Sequence, residues 1–283
     1  MVDRRVTCLL SSPLVEVYDV RLRSPWTGYG AVDRSGIPQI IAARRGVFGV
    51  ERQGEQFLVD AGSVFVVDVD DECRVSHPGN DGDDCTVIVP PLTLLEEWVG
   101  GRARSFGRLE PRDELTVFGI TAGLRDSDVD QLNAEEGAIR LLQALSAGFA
   151  DGRWSTGAIG PRQRRRVDQV RALLASAPAA RWDLTSVARA VSCSPYHLAR
   201  QFRAIAGETI ARYLLRLRLS LALDRLAGGE SDLSALAFEL GFASHSHFTA
   251  RFRTVFGITP AAARETMTAG RLRALRRVPI DAS

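Results

Sequence analysis

Lysine is missing from the 283-residue chain, so every one of its 36 basic side chains is arginine; the bias reflects genomic composition and carries no mechanism. Cysteine is scarce and scattered, with four residues at positions 8, 73, 85 and 193, which excludes a disulfide framework and fits a reducing compartment. No apolar run approaches the roughly 20 residues needed for a membrane span, and no charged, apolar, small-residue leader follows Met1. The expected location is the cytoplasm, with no membrane partner.

What is present is divided. Residues 161–283 carry twenty arginines against nine acidic residues, a balance of +11, whereas residues 1–160 carry sixteen against twenty-five, a balance of −9. The net charge of +2 conceals this split. A basic C-terminal half suits phosphate neutralisation and counterion release, while an acidic N-terminal half would be repelled by DNA. With 45% hydrophobic residues the chain is long enough for two independent cores. At the junction, Arg162, Arg164, Arg165 and Arg166 follow Gly160-Pro161; they read either as a solvated helix start or as phosphate contacts.

Within the basic half one pattern occurs twice, fifty residues apart. Ser194/Ser244, His197/His247, Phe202/Phe252, Arg203/Arg253, Gly207/Gly257 and Thr209/Thr259 are identical, and Leu198/Phe248 and Ile205/Val255 keep apolar character in register. Each copy reads as a helix-turn-helix. Asp183 caps a first helix carrying Leu184, Val187, Ala188 and Val191, Ser192-Cys193 turns, and Ser194-Pro195 opens a second helix. In the second copy Ser231 or Asp232 opens a helix with Leu233, Leu236, Ala237 and Leu240 facing inward, Gly241 turns, and Ser244 caps the next helix. Between them Ile210, Tyr213, Leu214, Leu217 and Leu221 recur at helical spacing. A connector of roughly five turns, about 27 Å long, can hold two recognition helices near one turn of B-DNA apart, about 34 Å.

These residues resemble the AraC/XylS family of bacterial transcription regulators. The first half of the family pattern is met by Ala188, Val191, Ser194-Pro195, Leu198, Phe202, Gly207, Tyr213-Leu214, Arg218 and Ala222. The second is met by Ala237, Gly241-Phe242, Ser246, Phe248, Phe252, Phe256-Gly257 and Pro260. The resemblance covers about residues 165–266. One departure is Ala263, where the family usually carries an aromatic residue before Arg264, so a looser C-terminal cap is expected. The resemblance implies double-stranded DNA as partner, RNA polymerase as a further one, and a homodimer. Base readout is expected from the exposed start of each second helix: Pro195, Tyr196, Ala199 and Arg200 in the first unit, His245, Ser246, Thr249 and Ala250 in the second. Arg200 alone can grip a guanine edge bidentately, Tyr196 reaches a thymine methyl or a phosphate, and the second unit is expected to contribute less or to lean on DNA shape. Arg203 and Arg253, further along, reach the DNA backbone or pair internally.

The N-terminal half has a different rhythm. Short β-rich runs at 46–51, 56–60, 64–68, 73–77 and 85–89, punctuated by Gly54 and Ala61-Gly62, imply a small barrel or sandwich. Helical candidates follow at 92–99, 113–124 and 131–149, the last with an apolar stripe of Leu132, Ile139, Leu142, Leu145 and Phe149 that suits packing on the barrel or on a second subunit. The expected fold class is α+β: a cupin-like β-barrel with following helices over 1–155, an effector-sensing and dimerisation domain, then an all-α domain over 161–270 of two helix-turn-helix units joined by a linker helix. The cupin-like part rests on a resemblance to the sensor domains of many family members.

A metal-dependent cupin enzyme needs several His and a carboxylate on one ion, and residues 1–160 hold one histidine, His77; no catalysis and no cofactor are expected. What remains is a small-molecule pocket lined by Trp26, Tyr29, Phe48, Phe57 and Phe65 with Arg44 or Arg45, though each aromatic serves equally as ordinary core. Cys73, His77 and Cys85, with Cys8 as a further member, offer a competing redox or metal switch. Their spacing matches no common zinc pattern, and a free cysteine is most often a small buried hydrophobe. Cys193 is expected to pack in the first turn.

Overall fold

One row of side chains runs across the N-terminal sheet. Val17 stands opposite Ile88, Ile88 opposite Ile40, and Ile40 opposite Val66, and all four are buried. The computed structural model describes residues 3–23, 28–78, 82–94, 106–125, 129–150 and 161–267, and this row belongs to an antiparallel sheet of six strands. They are β1 (Asp3–Ser11), β2 (Glu16–Arg23), β9 (Asp83–Val89), β4 (Gln39–Arg45), β7 (Ser63–Val67) and β10 (Phe106–Arg108), in that spatial order. Because strand side chains alternate, the other face carries Val87, Ile41, Phe65 and Phe106, again in register. Both faces are covered, the first by helices and the second by a four-stranded sheet ordered β3 (Asp33–Arg34), β8 (Glu72–Ser76), β5 (Val47–Arg52), β6 (Glu55–Asp60). Among the described residues the ladders leave free edges on both sheets, so in place of the expected barrel stands a pair of facing sheets that does not close.

All five anticipated strand runs are present. Strands β1, β2, β3, β4 and β10 add to them. β1 is an edge strand exposed along most of its length, and β3 and β10 are too short to carry a pattern. The β5–β6 hairpin turns on Gln53 and Gly54, both at positive φ (52° and 78°), the mirror-image turn that matches strand twist.

Helix α1 (Pro111–Leu124) and helix α2 (Gln131–Ala150) cover the first face, contributing Val117, Ile120 and Leu124 together with Ala134, Ala138, Leu141, Leu142 and Leu145 to one core. The expected stripe on α2 is therefore divided. Leu142 and Leu145 pack within the chain, but Leu132 is 66% and Ile139 40% exposed, and the Phe149 side chain lies outside the described residues. The candidate helix at 92–99 is helical at 92–94, and its remainder lies outside the described residues.

The C-terminal half begins with α3 (Pro161–Ser176), longer than the helix start inferred from its arginines, and packs by Val167, Val170 and Leu174. Then come α4 (Leu184–Ala190), α5 (Pro195–Ala206), α6 (Ile210–Ala227), α7 (Leu233–Glu239), α8 (His245–Phe256) and α9 (Pro260–Met267). Caps set these boundaries. Asp183 and Ser186 form a reciprocal capping box, Ser194, Thr209 and Ser244 each accept a backbone N–H, and Asp232, rather than Ser231, caps α7. Each such cap stabilises its helix by about 1 kcal/mol. Gly207 and Gly257 end α5 and α8 at φ 74° and 76°, where a side chain would be strained.

Helix α6 is buried on nearly every side, with Tyr213, Leu214, Leu217, Leu219, Ser220, Ala222, Leu223 and Leu226 all inaccessible. A helix that buries residues around most of its circumference needs cover from several directions. The two helix-turn-helix units supply part of it and the N-terminal domain the rest. Arg218 on this helix donates to the carbonyls of Pro178 (2.8 Å), Ala180 (2.9 Å) and Gly241 (3.0 Å), tying the loop before the first unit to the turn of the second.

Candidate nucleic-acid interface

Helices α5 and α8 each bury one face. Leu198 and Phe202, and Phe248 and Phe252, are completely inaccessible, with Ile205 and Val255 partly so, as the repeat implied. Leu184 departs from the inward set, being 39% exposed at the start of α4.

The opposite faces are where the sequence placed base readout. Pro195, Tyr196 and Arg200 are exposed and Ala199 half-buried on α5; His245, Ser246 and Ala250 are exposed and Thr249 half-buried on α8. Tyr196 is 80% exposed, unusual for an aromatic ring. Arg203 and Arg253 are also exposed, and neither they nor Arg200 makes a side-chain hydrogen bond or ion pair among the described residues. The two helices contain no acidic residue. Unopposed guanidinium groups on such a face attract phosphate and remain free to reach a base edge. Arg164 and Arg166 lie half-buried on α3, where Arg166 donates to Gln201 (3.3 Å), while Arg165 is exposed; the Arg162 side chain lies outside the described residues.

Behind this surface is an interface the sequence did not announce. Asp60, at the end of β6, is inaccessible and accepts hydrogen bonds from Arg171 of α3 (2.8 and 3.1 Å), Arg108 (3.1 Å), Ser63 (2.7 Å) and the Tyr213 hydroxyl of α6 (2.6 Å). Burial alone would push its carboxyl up; the guanidinium groups of Arg171 and Arg108 and the hydroxyls of Tyr213 and Ser63 hold it well below the usual range. Burial and the adjacent Asp60 charge push the Tyr213 hydroxyl up, keeping it a protonated donor. Arg216 stacks over the Tyr213 ring at 4.9 Å and donates to the Ala61 carbonyl at 2.6 Å.

Two further contacts extend this seam. Ser220 of α6 hydrogen-bonds to Glu114 of α1, whose carboxyl burial raises to about 7, and Arg44 of β4 pairs with Asp19 and, at 3.6 Å, with Asp224 of α6. Arg44 is thus a buried cation with two carboxylate partners; Arg45 borders a small cleft of about 50 Å³ with Val47, Leu217 and Leu221 between the two halves. Phe118 of α1 enters the same apolar cluster as Phe252, Phe256, Ala263 and Met267. Ala263 is fully buried there, so the looser cap expected at this position is not observed.

In the N-terminal domain Phe48 and Phe65 are buried and Phe57 partly so in the cluster between the sheets, with ring centroids 5.3 Å apart for Phe57 and Phe65 and 5.1 Å for Phe57 and Phe106. Tyr29 is half-buried beside Ser76, and Trp26 lies outside the described residues. Cys73 and Cys85 are buried thiols of this cluster, pushed up by burial, whereas Cys8 is exposed on β1. His77 bonds to Asp83 at 2.6 Å. Cys193 is partly buried against the first unit. Among the described residues no group of three or more His, Cys, Asp and Glu side chains could hold a metal ion, and no helix is long and apolar enough to cross a membrane.

Two helix-turn-helix units on one spine, with basic faces turned outward, define a tandem helix-turn-helix domain. The helix-turn-helix domain family matches residues 187–266. An HTH-type transcriptional regulator of uncharacterised role, YidL of Escherichia coli (strain K12), is 33% identical over 100 residues, covering 35% of this chain and 34% of its own. An AraC-like transcription regulator of Streptomyces lividans, itself described as putative, is 32% identical over 83 residues, or 29% of this chain and 27% of that one. Over this domain the chain is similar to AraC-like transcriptional regulators. The match spans only about a third of the length of these relatives. Among solved structures, ToxT from Vibrio cholerae overlays 90% of this chain and all of its own at 11% identity, with a TM-score of 0.38.

Proposed function

We propose that the protein is a sequence-specific DNA-binding transcription regulator that works in the cytoplasm as a homodimer and responds to a small molecule held by its N-terminal domain. The observation that carries this reading is the pair of acid-free faces on α5 and α8, in which Arg200, Arg203 and Arg253 are exposed and unpaired among the described residues. Pro195, Tyr196, Ala199 and Arg200 read one half of the operator; His245, Ser246, Thr249 and Ala250 read the other; Arg203 and Arg253 hold phosphates. No catalytic step is assigned to the protein.

The effector acts, in this reading, between the two sheets, where Phe48, Phe57 and Phe65 meet and Tyr29 lies close by. A ligand there parts the aromatic cluster and moves β5 and β6, and Asp60 at the end of β6 carries the shift to α3 and α6. That interface joins the polar contacts of Asp60 to the apolar packing of Phe118 against the second unit. Burial leaves Cys73 and Cys85 little thiolate to offer an oxidant or a metal, which favours an organic ligand over a cysteine switch. Exposed Leu132 and Ile139 on α2 are the proposed dimer contact.

Enrichment of a random duplex library on the full-length protein tests the central statement. The expected product is a bipartite site whose halves lie about one helical turn apart. Retention of DNA with no sequence preference, its affinity set by salt alone, would refute it. Sedimentation of the full chain at micromolar concentration tests the dimer; a monomer with and without operator refutes that part.

A further inference from the structure

The two recognition helices differ at matched positions. Fifty residues apart, Tyr196 corresponds to Ser246 and Arg200 to Ala250, so the long side chains that project from α5 are replaced on α8 by short ones. A solvent-open depression of about 650 Å³ lies there, bordered on α8 by His245, Ser246, Thr249, Ala250, Arg253 and Thr254 and beyond it by Thr259. That volume admits the edges of base pairs. Where α5 must reach into a groove, α8 lets the groove come to it.

The chemistry of the depression is narrow. The Thr249 hydroxyl lies 3.5 Å from the His245 imidazole, and the Thr254 hydroxyl is bound to the Ala250 carbonyl at 2.8 Å. What those two groups leave is the methyl surface of Ala250, Thr249, Thr254 and Thr259, with the Ser246 hydroxyl beside it. No asparagine or glutamine stands there to grip adenine, and Arg253, at the helical position matching Arg203, is one of the bordering side chains. Alanine and threonine methyl groups complement one major-groove feature, the C5-methyl of thymine, and offer guanine and cytosine nothing bidentate.

We infer that the depression on α8 is a thymine-reading site: the second helix-turn-helix unit selects T·A pairs by receiving the thymine methyl against Ala250 and Thr249, while the first selects guanine through Arg200. This rests on the DNA-binding reading above and assigns the kind of base the second unit takes. Arg253 anchors the neighbouring phosphate and adds no selectivity.

The test uses the full-length protein and its enriched duplex. Each thymine is replaced singly by deoxyuridine, which removes only the methyl group, and the enrichment is repeated with Ala250→Arg, a change at an exposed position that leaves both cores untouched. The expected result is that Ala250→Arg replaces a T·A preference by G·C at one or two positions, and that deoxyuridine at those positions costs wild type about fourfold in affinity, the worth of one buried methyl. Deoxyuridine without effect there, or an unchanged site from Ala250→Arg, would overturn the inference while leaving sequence-specific binding intact. Failure of wild type to enrich any sequence would overturn both.

Discussion

Substituting asparagine for Asp60 keeps the side-chain shape and deletes one charge, at the point where β6 meets α3 and α6. In the wild type that inaccessible carboxylate collects two hydrogen bonds from Arg171, one from Arg108, one from Ser63 and one from Tyr213. Asparagine can still accept from some of these donors, but the guanidinium groups of Arg171 and Arg108 then lie against a neutral partner, with Arg216 nearby. Breaking a buried pair in this way costs about 3–5 kcal/mol, because the remaining charges stay desolvated without compensation. Against a total stability of about 5–15 kcal/mol that is a large share. Since Asp60 belongs to the N-terminal domain and Arg171 and Tyr213 to the C-terminal one, the loss falls on their mutual attachment. Urea unfolding followed by tryptophan fluorescence and far-ultraviolet circular dichroism is expected to give one transition for wild type and two separated transitions for Asp60→Asn. The pH dependence has a definite sign. Asp60 is held below its unfolded value, so its contribution is present above the unfolded pKa of about 4 and is lost as pH falls further, through the folded value. The difference between the two proteins should be flat from about pH 5 to 8 and shrink in acid. A difference below about 1 kcal/mol at neutral pH, the scale of an exposed ion pair, would show that the interface does not depend on this carboxylate.

Glu114 behaves in the opposite sense: burial raises it to about 7, so its carboxyl stabilises the fold fully below the unfolded value near 4.5 and loses that contribution as pH climbs through about 7. Glu114→Gln, which keeps a partner for Ser220, should therefore gain up to about 3 kcal/mol on wild type between pH 5 and 8; parallel stability curves would refute the shift. Phe118→Ala should open a cavity in the core of the second helix-turn-helix unit and cost about 3–5 kcal/mol, although Phe118 belongs to the N-terminal domain; a loss under about 1 kcal/mol in chemical unfolding would mean that the unit packs without it. Arg253→Gln should weaken binding to all duplexes alike and lower the slope of log affinity against log salt by about one, while an unchanged slope would mark Arg253 as making no phosphate contact.

The sequence alone determined the C-terminal domain in detail. Its signals are local: a cap within three residues of the N–H it satisfies, a glycine at positive φ, an apolar side chain every third or fourth residue. The duplication made each signal count twice, and Ser194, Gly207, Phe202 and their counterparts fell where expected. Short strands with turn residues likewise announced the N-terminal sheets. Edge strand β1 gave no such notice, since a strand exposed on both faces has no alternation to read.

Only the tertiary structure decided what joins the halves. Asp60 reads as a strand-end acid, Tyr213 as one more member of an apolar helical stripe, and Arg44 as a pocket candidate. Their hydrogen bonds and ion pairs link residues 153 positions apart in the case of Tyr213 and Asp60, a relation with no periodicity and no fixed spacing. The same holds for the contrast between α5 and α8: the residues at each position were visible in the sequence, but that Ser246 and Ala250 leave a depression follows only once the surrounding side chains are packed. Local rules fix which elements form because their energies are settled within a turn of helix or a hairpin. Which buried charge meets which depends on how whole elements stack, and a chain acquires that only when it folds.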